Sequence, residues 1–333
     1  MPGPHLPHPG HLRFMNSPIN IGAIGAGAWG RNIVRTLDDL QCLRVIAEPS
    51  ESLREPLGVA FPGTEIVADH SSLVGRPDIQ AVVIATPAPT HHPVARAFLQ
   101  AGQDVLVEKP MTLTSAEAED LVAVAEANGR ILMVGHLLLY KPAIEFIRTY
   151  LSDGRLGRIF TLHQERAKHG KARAVENALW SLGVHDVAAL LHLAGATPSR
   201  VSAVGHCGLR ADMEDDVYLH LEFADGRAAH LHSSWLWPED RRRLTIIGGR
   251  GMLVYDEKEE RVTLHQKMID AGLNNVDLGS EVVFEGSPTF QPLAAELSHF
   301  IDCVRSRQTP RSDGRQAVEV VRILEQVFPF HAS

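Results

Sequence analysis

The chain has 333 residues, 44% hydrophobic and 22% charged, the composition of an ordinary folded protein and not of a disordered one. That length exceeds what one hydrophobic core usually serves, so two domains are expected. A net charge of −8 argues against nucleic acid as a partner, since neutralising phosphates takes a basic face, and no apolar run reaches membrane-spanning length.

Residues 1–18 are rich in Pro, Gly and His (His5, His8, His11) and have no periodicity, so a disordered leader is expected there. It lacks the apolar core of a signal peptide. Cys42, Cys207 and Cys303 are odd in number and form no C-x-x-C pair, which fits a reducing compartment. Together these features predict a cytoplasmic protein.

From Ile19 the pattern alternates strand and helix. Ile19–Ile24 is a short apolar run, followed by Gly25-Ala-Gly27-Ala28-Trp29-Gly30 and then by apolar residues at helical spacing. In a G-x-G-x-x-G turn the first glycine makes the tight turn, the second lets backbone approach a pyrophosphate, and the third packs helix on strand. The phosphates then lie on N–H groups at the positive end of the helix. A second strand, Leu43–Ala47, leads to Glu48 roughly twenty residues on, where an acid accepts hydrogen bonds from ribose hydroxyls. An acid there repels a 2′-phosphate, so NAD is expected as cofactor, although Arg44 and Arg54 lie close by in sequence. Ala81–Thr86 reads as a central parallel strand covered on both faces, His92–Ala101 as a helix and Asp104–Val107 as the next strand. Thr114-Ser-Ala-Glu117 has capping-box spacing and opens a helix to about Asn128, and Ile131–Val134 is a further strand. A doubly wound parallel sheet is predicted over residues 19–139.

The second domain, residues 140–333, reads differently. After a helix over 142–151 come strands with alternation, which indicates a sheet with two unlike faces. In Val217–Phe223 the apolar residues alternate with Tyr218, His220 and Glu222. In Arg227–Trp237, Ala229, Leu231, Trp235 and Trp237 are expected on one face, and His230, His232 and Ser234 on the other. With 158–166, 200–209, 243–247 and 252–255 they form a large, mostly antiparallel sheet. One face packs on helices, while the open, polar-aromatic face is expected to pair with another subunit in a homo-oligomer. Residues 266–290 read as loop, and helices over 292–305 and 313–326 end the domain.

The strand at 104–107 runs into Glu108-Lys109-Pro110, at the carboxyl edge of the sheet where ligands of such folds bind. A lysine there can lie beside the nicotinamide and stabilise an alkoxide as hydride leaves. The fingerprint, Ala85-Thr86-Pro87 with Thr90-His91, Val105-Leu-Val-Glu-Lys-Pro110 and the change of pattern between the two halves resemble the Gfo/Idh/MocA oxidoreductase family. The resemblance spans residues 19 to about 327. It implies that Lys109 is catalytic, that Thr86, Pro87, His91 and Glu108 line the cofactor pocket, and that a histidine opening a later helix is the acid/base. The matching histidine is His185, an imidazole whose ordinary titration near pH 6.5 suits the role. Inositol-dehydrogenase-like members carry an aspartate four residues before it, where this chain has Ser181.

A narrower resemblance, to UDP-sugar 3-dehydrogenases, rests on Gly135-His-Leu-Leu-Leu-Tyr140-Lys-Pro142, Arg166 to Arg173, Glu176-Asn177 to His185-Asp186 and Ser234-Trp-Leu-Trp-Pro238. It implies a UDP-N-acetylhexosamine substrate oxidised at C3 and handed to an aminotransferase. On that reading Arg166, Lys171 and Arg173 (with Lys168) suit the diphosphate. Asn177 suits sugar hydroxyls or the acetamido group, and Tyr140 or Trp180 a ring. A UDP-uronate substrate, another sugar, and a non-catalytic regulator of the same fold remain open. His220, His230 and His232 have same-face strand spacing, but no metal is expected.

Overall fold

The computed structural model describes residues 19–173, 175–287 and 289–330; the leader expected over 1–18 lies outside them. The elements run β1 (Ile21–Ile24), α1 (Gly30–Asp39), β2 (Leu43–Ala47), α2 (Glu51–Ala60), β3 (Glu65–Val67), β4 (Ala81–Ile84), α3 (His91–Gln100), β5 (Asp104–Val107), α4 (Ser115–Ala127) and β6 (Leu132–Val134). Then follow α5 (Pro142–Ser152), β7 (Ile159–His169), α6 (Val184–Ala194), β8 (Arg200–His206), β9 (Asp216–Glu222), β10 (Ala228–Ser234), β11 (Leu236–Gly248), β12 (Gly251–Asp256), β13 (Arg261–Ile269), β14 (Asn275–Glu285), α7 (Pro292–Ser306) and α8 (Gly314–Val327).

The chain forms two compact units. The first ends at Glu108 and is completed by Leu121–Met133 and Leu293–Asp313; the second comprises Lys109–Asp120, Val134–Pro292 and the segment from Gly314. The single boundary at 139/140 expected from sequence is thus corrected. The reason is visible in buried Asp104, whose carboxylate accepts from Ile131 N at 2.8 Å and from Arg307 at 2.6 and 2.9 Å. This pins the end of α7 to the edge of β5.

In the first unit the strand order is β3-β2-β1-β4-β5-β6. β1 pairs in parallel with both β2 and β4, so the order reverses beside β1, the position at which dinucleotides bind in such sheets. β1, β4 and the Val105–Val107 run of β5 are apolar and buried on both faces, as a sheet sandwiched by helices requires. α1 buries Ile33, Val34 and Leu37 on one side and leaves its polar residues outward.

The second unit holds an eight-stranded sheet, β14-β13-β12-β11-β7-β10-β9-β8, in which β7 and β10 pair in parallel and the remaining neighbours are antiparallel. Val217, Leu219, Leu221, Ala229 and Leu231 form a buried row, and α6 packs on β7 and β10 while α8 packs on β8. Tyr218, His220 and His230 face the other way, as the alternation predicts. Trp237 departs from its expected face. β10 stops at Ser234, Trp235 is buried alone, and Trp237 restarts on the open side with its ring edge-on to His232 at 4.9 Å. The loop expected over 266–290 is also corrected. β13 runs to Ile269, and β14 occupies Asn275–Glu285 as an edge strand held by backbone pairing. Most of β14 is exposed, yet Val276, Leu278, Val282 and Phe284 alternate with Asn275, Asp277, Glu281 and Glu285, a strand pattern that the loop reading overlooked.

Gly30 packs so closely that a Cβ there would run into the carbonyl oxygen of Gly25. Neither backbone can yield without opening the β1–α1 turn. Gly30→Ala should therefore destabilise the fold by roughly 1–3 kcal/mol, read as a lowered Tm; an unchanged Tm would refute this packing role.

Candidate functional site

In the first unit the glycine-rich turn has the shape a dinucleotide needs. Gly25 sits at φ +87°, and its would-be Cβ lies 2.9 Å from Ala85 O, so the end of β4 presses directly on the turn. Nothing lies within 4 Å of a Cβ built on Gly27, which leaves an open cradle at the second glycine. Ala28 and Trp29 are exposed beside it, at the N-terminus of α1, where Arg31 N and Asn32 N bond to Gly27 O and Trp29 O at 3.1 and 2.9 Å and leave the positive end of the helix at the turn. Glu48 is buried, and its two carboxylate oxygens accept from Ala26 N at 2.7 Å and Ser50 N at 2.9 Å. The acid is thus fixed against the turn with lone pairs left for ribose hydroxyls. These residues fit NAD. The nearby cations are engaged elsewhere: Arg54 donates to the carbonyls of Glu48 and Pro49, and Arg44 faces Asp78 at 3.7 Å.

The neighbouring turn holds partly exposed Thr86 and exposed Pro87. His91, expected in the cofactor pocket, is buried with Nε2 bonded to Thr86 O at 2.8 Å, which braces this turn. Glu108 accepts from Trp29 Nε1 at 2.5 Å. Behind it lies a residue that sequence reasoning missed, Glu296 of α7. It is fully buried with an unbonded Oε1, and burial followed by the charge of Glu108 pushes its pKa well above the carboxylate range. The buried site thus disfavours a second negative charge beside Glu108. No sequence spacing links α7 to this position.

In the second unit Lys109 Nζ donates to the carbonyl of Ser181 at 3.1 Å. Ser181 belongs to a π-turn, Leu179–Gly183, that leads into α6; such widened turns recur at functional sites. The position that cannot supply a carboxylate thus supplies a backbone oxygen to the lysine. His185, the second residue of α6, is partly exposed, but its Nδ1 is buried and unbonded. Burial, then the positive charge of Lys109, hold its pKa well below the ordinary value, so the ring is neutral and able to accept a proton. His136 stands edge-on to it, ring centroids 6.3 Å apart.

The expected substrate contacts divide. Arg166 is corrected: Nε donates to Asp186 at 2.6 Å and one terminal nitrogen to Glu257 at 2.7 Å, so the guanidinium serves a buried ion cluster and not a diphosphate. Lys141 and Arg242 reach the same Glu257 at 3.5 and 3.8 Å. Asn177 is corrected as well, since Oδ1 caps Trp180 N at 3.0 Å and Nδ2 donates to Glu214 at 2.8 Å. Trp180 is 1% exposed and bonded to Phe328 O, and Tyr140 is 5% exposed, so neither offers a ring to a sugar. Lys171 and Arg173 remain exposed, Arg173 lying 3.8 Å from Glu176. On the open sheet face His163 stacks on His230, and His230 meets His220 at 3.1 Å.

A Rossmann sheet with this turn and acid, in a chain whose second unit holds Lys109 and His185, is the frame of an NAD-binding oxidoreductase. Comparison with known proteins agrees. Residues 19–136 match the oxidoreductase family model with an NAD-binding Rossmann fold, and residues 144–254 match the Gfo/Idh/MocA C-terminal domain. The chain is 34% identical over 235 residues to UDP-N-acetylglucosamine 3-dehydrogenase of Acidithiobacillus ferrooxidans, covering 69% of this chain and 71% of that one. A crystal structure of that enzyme superposes with a TM-score of 0.82 at 26% identity, over 94% of this chain and 97% of the other. The 2,7-anhydro-N-acetylneuraminate hydratase of Mediterraneibacter gnavus is 24% identical over 74% of this chain and 73% of its own. The protein belongs to the Gfo/Idh/MocA oxidoreductase family.

Because a methyl at Gly27 meets no protein atom, Gly27→Ala should leave Tm unchanged while weakening NAD at least tenfold, roughly 1.4 kcal/mol or more. Titration with NAD checks this, and unimpaired binding would move the pyrophosphate elsewhere. A second expectation concerns pH. His136 is held neutral to about pH 3 in the folded protein against an ordinary value of 6.5, by burial and then by Lys109. The unfolded chain therefore takes up a proton first, and native stability falls as pH drops from 6.5 towards 3. Between pH 7 and 4.5, denaturant melts should show His136→Phe losing roughly 2–3 kcal/mol less than the native chain; equal losses would contradict it.

Proposed function

We propose that the protein oxidises the C3 hydroxyl of UDP-N-acetylglucosamine to a ketone with NAD as acceptor. The product would pass to an aminotransferase, as in 2,3-diamino-sugar synthesis for lipid A. The observation that carries the substrate is the 34% identity to an enzyme of that activity, maintained over more than two thirds of both chains.

The chemistry follows from the residues. NAD, when bound, accepts a hydride from the carbinol carbon. His185, neutral and partly exposed, takes the hydroxyl proton. Lys109, steadied on the Ser181 carbonyl, stabilises the oxygen as its negative charge develops. Lys171 and Arg173, exposed in the segment before the π-turn, attract the diphosphate. Presence of both Lys109 and His185 in one cluster favours an enzyme over a regulator that has kept the fold. Self-association through the open sheet face belongs to the same reading. That face carries half-exposed Tyr218 with charges of both signs, Glu165 and Arg241, as a self-complementary surface requires.

The test is NADH formation with UDP-N-acetylglucosamine, its uronate and free inositol offered separately, an aminotransferase drawing off the ketone. Signal with the neutral UDP-sugar alone is expected. Signal with the uronate alone would overturn the substrate, and silence with all three despite NAD binding would overturn the enzyme. Lys109→Met should lower turnover by at least about a hundredfold with NAD binding intact; loss of NAD binding alone would contradict its role.

A further inference from the structure

His136 is unused by the mechanism above and is costly where it stands. It is 1% exposed, and both ring nitrogens are buried with no hydrogen-bond partner among the described residues. An imidazole buried in that way loses hydrogen bonds that a phenyl ring would never need. Its neighbours are Lys109 and, at an interplanar angle of 85°, His185, whose own Nδ1 is buried and unbonded. Two neighbouring rings thus hold orphaned nitrogens with no direct bond between them. One bridging water, or one substrate hydroxyl in its place, would join one His136 nitrogen to His185 Nδ1.

We propose that His136 is a positioning residue for His185: through one bridging polar group it accepts from His185 Nδ1–H and so fixes the tautomer in which Nε2 is the base. This rests on the reading of His185 as the base. His185 keeps an exposed part while Nδ1 is covered, so Nε2 is the edge left to meet substrate. The neutral state of His136, set by burial and by Lys109, gives it the one acceptor nitrogen the role needs. As the alcohol gives its proton to Nε2 and its hydride to NAD, the alcohol becomes the ketone and His185 becomes an imidazolium. The proton already on Nδ1 then points its share of the charge at His136. The charged groups facing His185 are Lys109 and Arg166, both positive, and neither accepts a hydrogen bond.

Nitrogen-15 NMR of the histidine rings reads the tautomer without substrate. His185 is identified by its absence in His185→Gln. The native protein should show His185 as the Nδ1–H form between pH 6 and 8. His136→Phe should show a mixture of tautomers, and His136→Asn, which restores an acceptor, should return most of the Nδ1–H form. With UDP-N-acetylglucosamine and NAD, His136→Phe should lower kcat by roughly ten- to a hundredfold with little change in KM. A native His185 protonated on Nε2, or an identical His185 signal in His136→Phe, would overturn the proposal, and the first needs no variant to fold. Failure of the native protein to turn over the UDP-sugar would refute the substrate reading instead and leave the tautomer result to decide His136.

Discussion

The second unit depends on one electrostatic constraint, a lysine ammonium held among imidazoles in a poorly solvated corner. Lys109 is fixed by the Ser181 carbonyl, and its charge, added to burial, keeps both His136 and His185 neutral. A protonated histidine beside that ammonium would be a second unscreened positive charge, and at low effective dielectric such pairs cost several kcal/mol. The arrangement yields a base kept free of its proton by burial and by the neighbouring ammonium.

Helix α6 must hold its register for this to work, and the ion cluster behind it provides the anchor. Asp186, next to His185, is fully buried and bonded to Arg166; burial pushes its pKa up, to about 6, while Arg166 pulls it back. Glu257 of the β12–β13 turn receives Arg166, Lys141 and Arg242. Removing Arg166 would leave buried Asp186 without its bonded cation and take one of three from Glu257, so its place is mechanical, although a sequence reading sees only one more cation in a basic run. In the first unit the equivalent economy is Glu48, which ties the end of β2 to the glycine-rich turn.

What was legible in the sequence was what local spacing controls. The glycine turn, the acid after β2, the doubly wound sheet and the alternation of β9 all follow from short-range patterns, and Lys109 and His185 from motifs with a fixed place in a known fold. What escaped lies at long range or lacks a pattern. Glu296 reaches Glu108 from a helix far along the chain, and Arg307 returns to Asp104 across 203 residues. Asn177 and Trp180 looked like sugar contacts because polar and aromatic residues near a catalytic helix suit either role, and only burial shows that they cap and lock it. His136 was in view within a motif, but nothing in a sequence tells a bonded histidine from an orphaned one.

The central claim is direct removal of hydride from C3 of the sugar. The most direct measurement is to supply UDP-N-acetylglucosamine deuterated at C3, with NAD and an aminotransferase, and to weigh the nicotinamide product by mass spectrometry. Direct transfer from C3 puts one deuterium on each reduced nicotinamide. Reduced nicotinamide formed without the label would place the oxidation at another carbon and contradict the account.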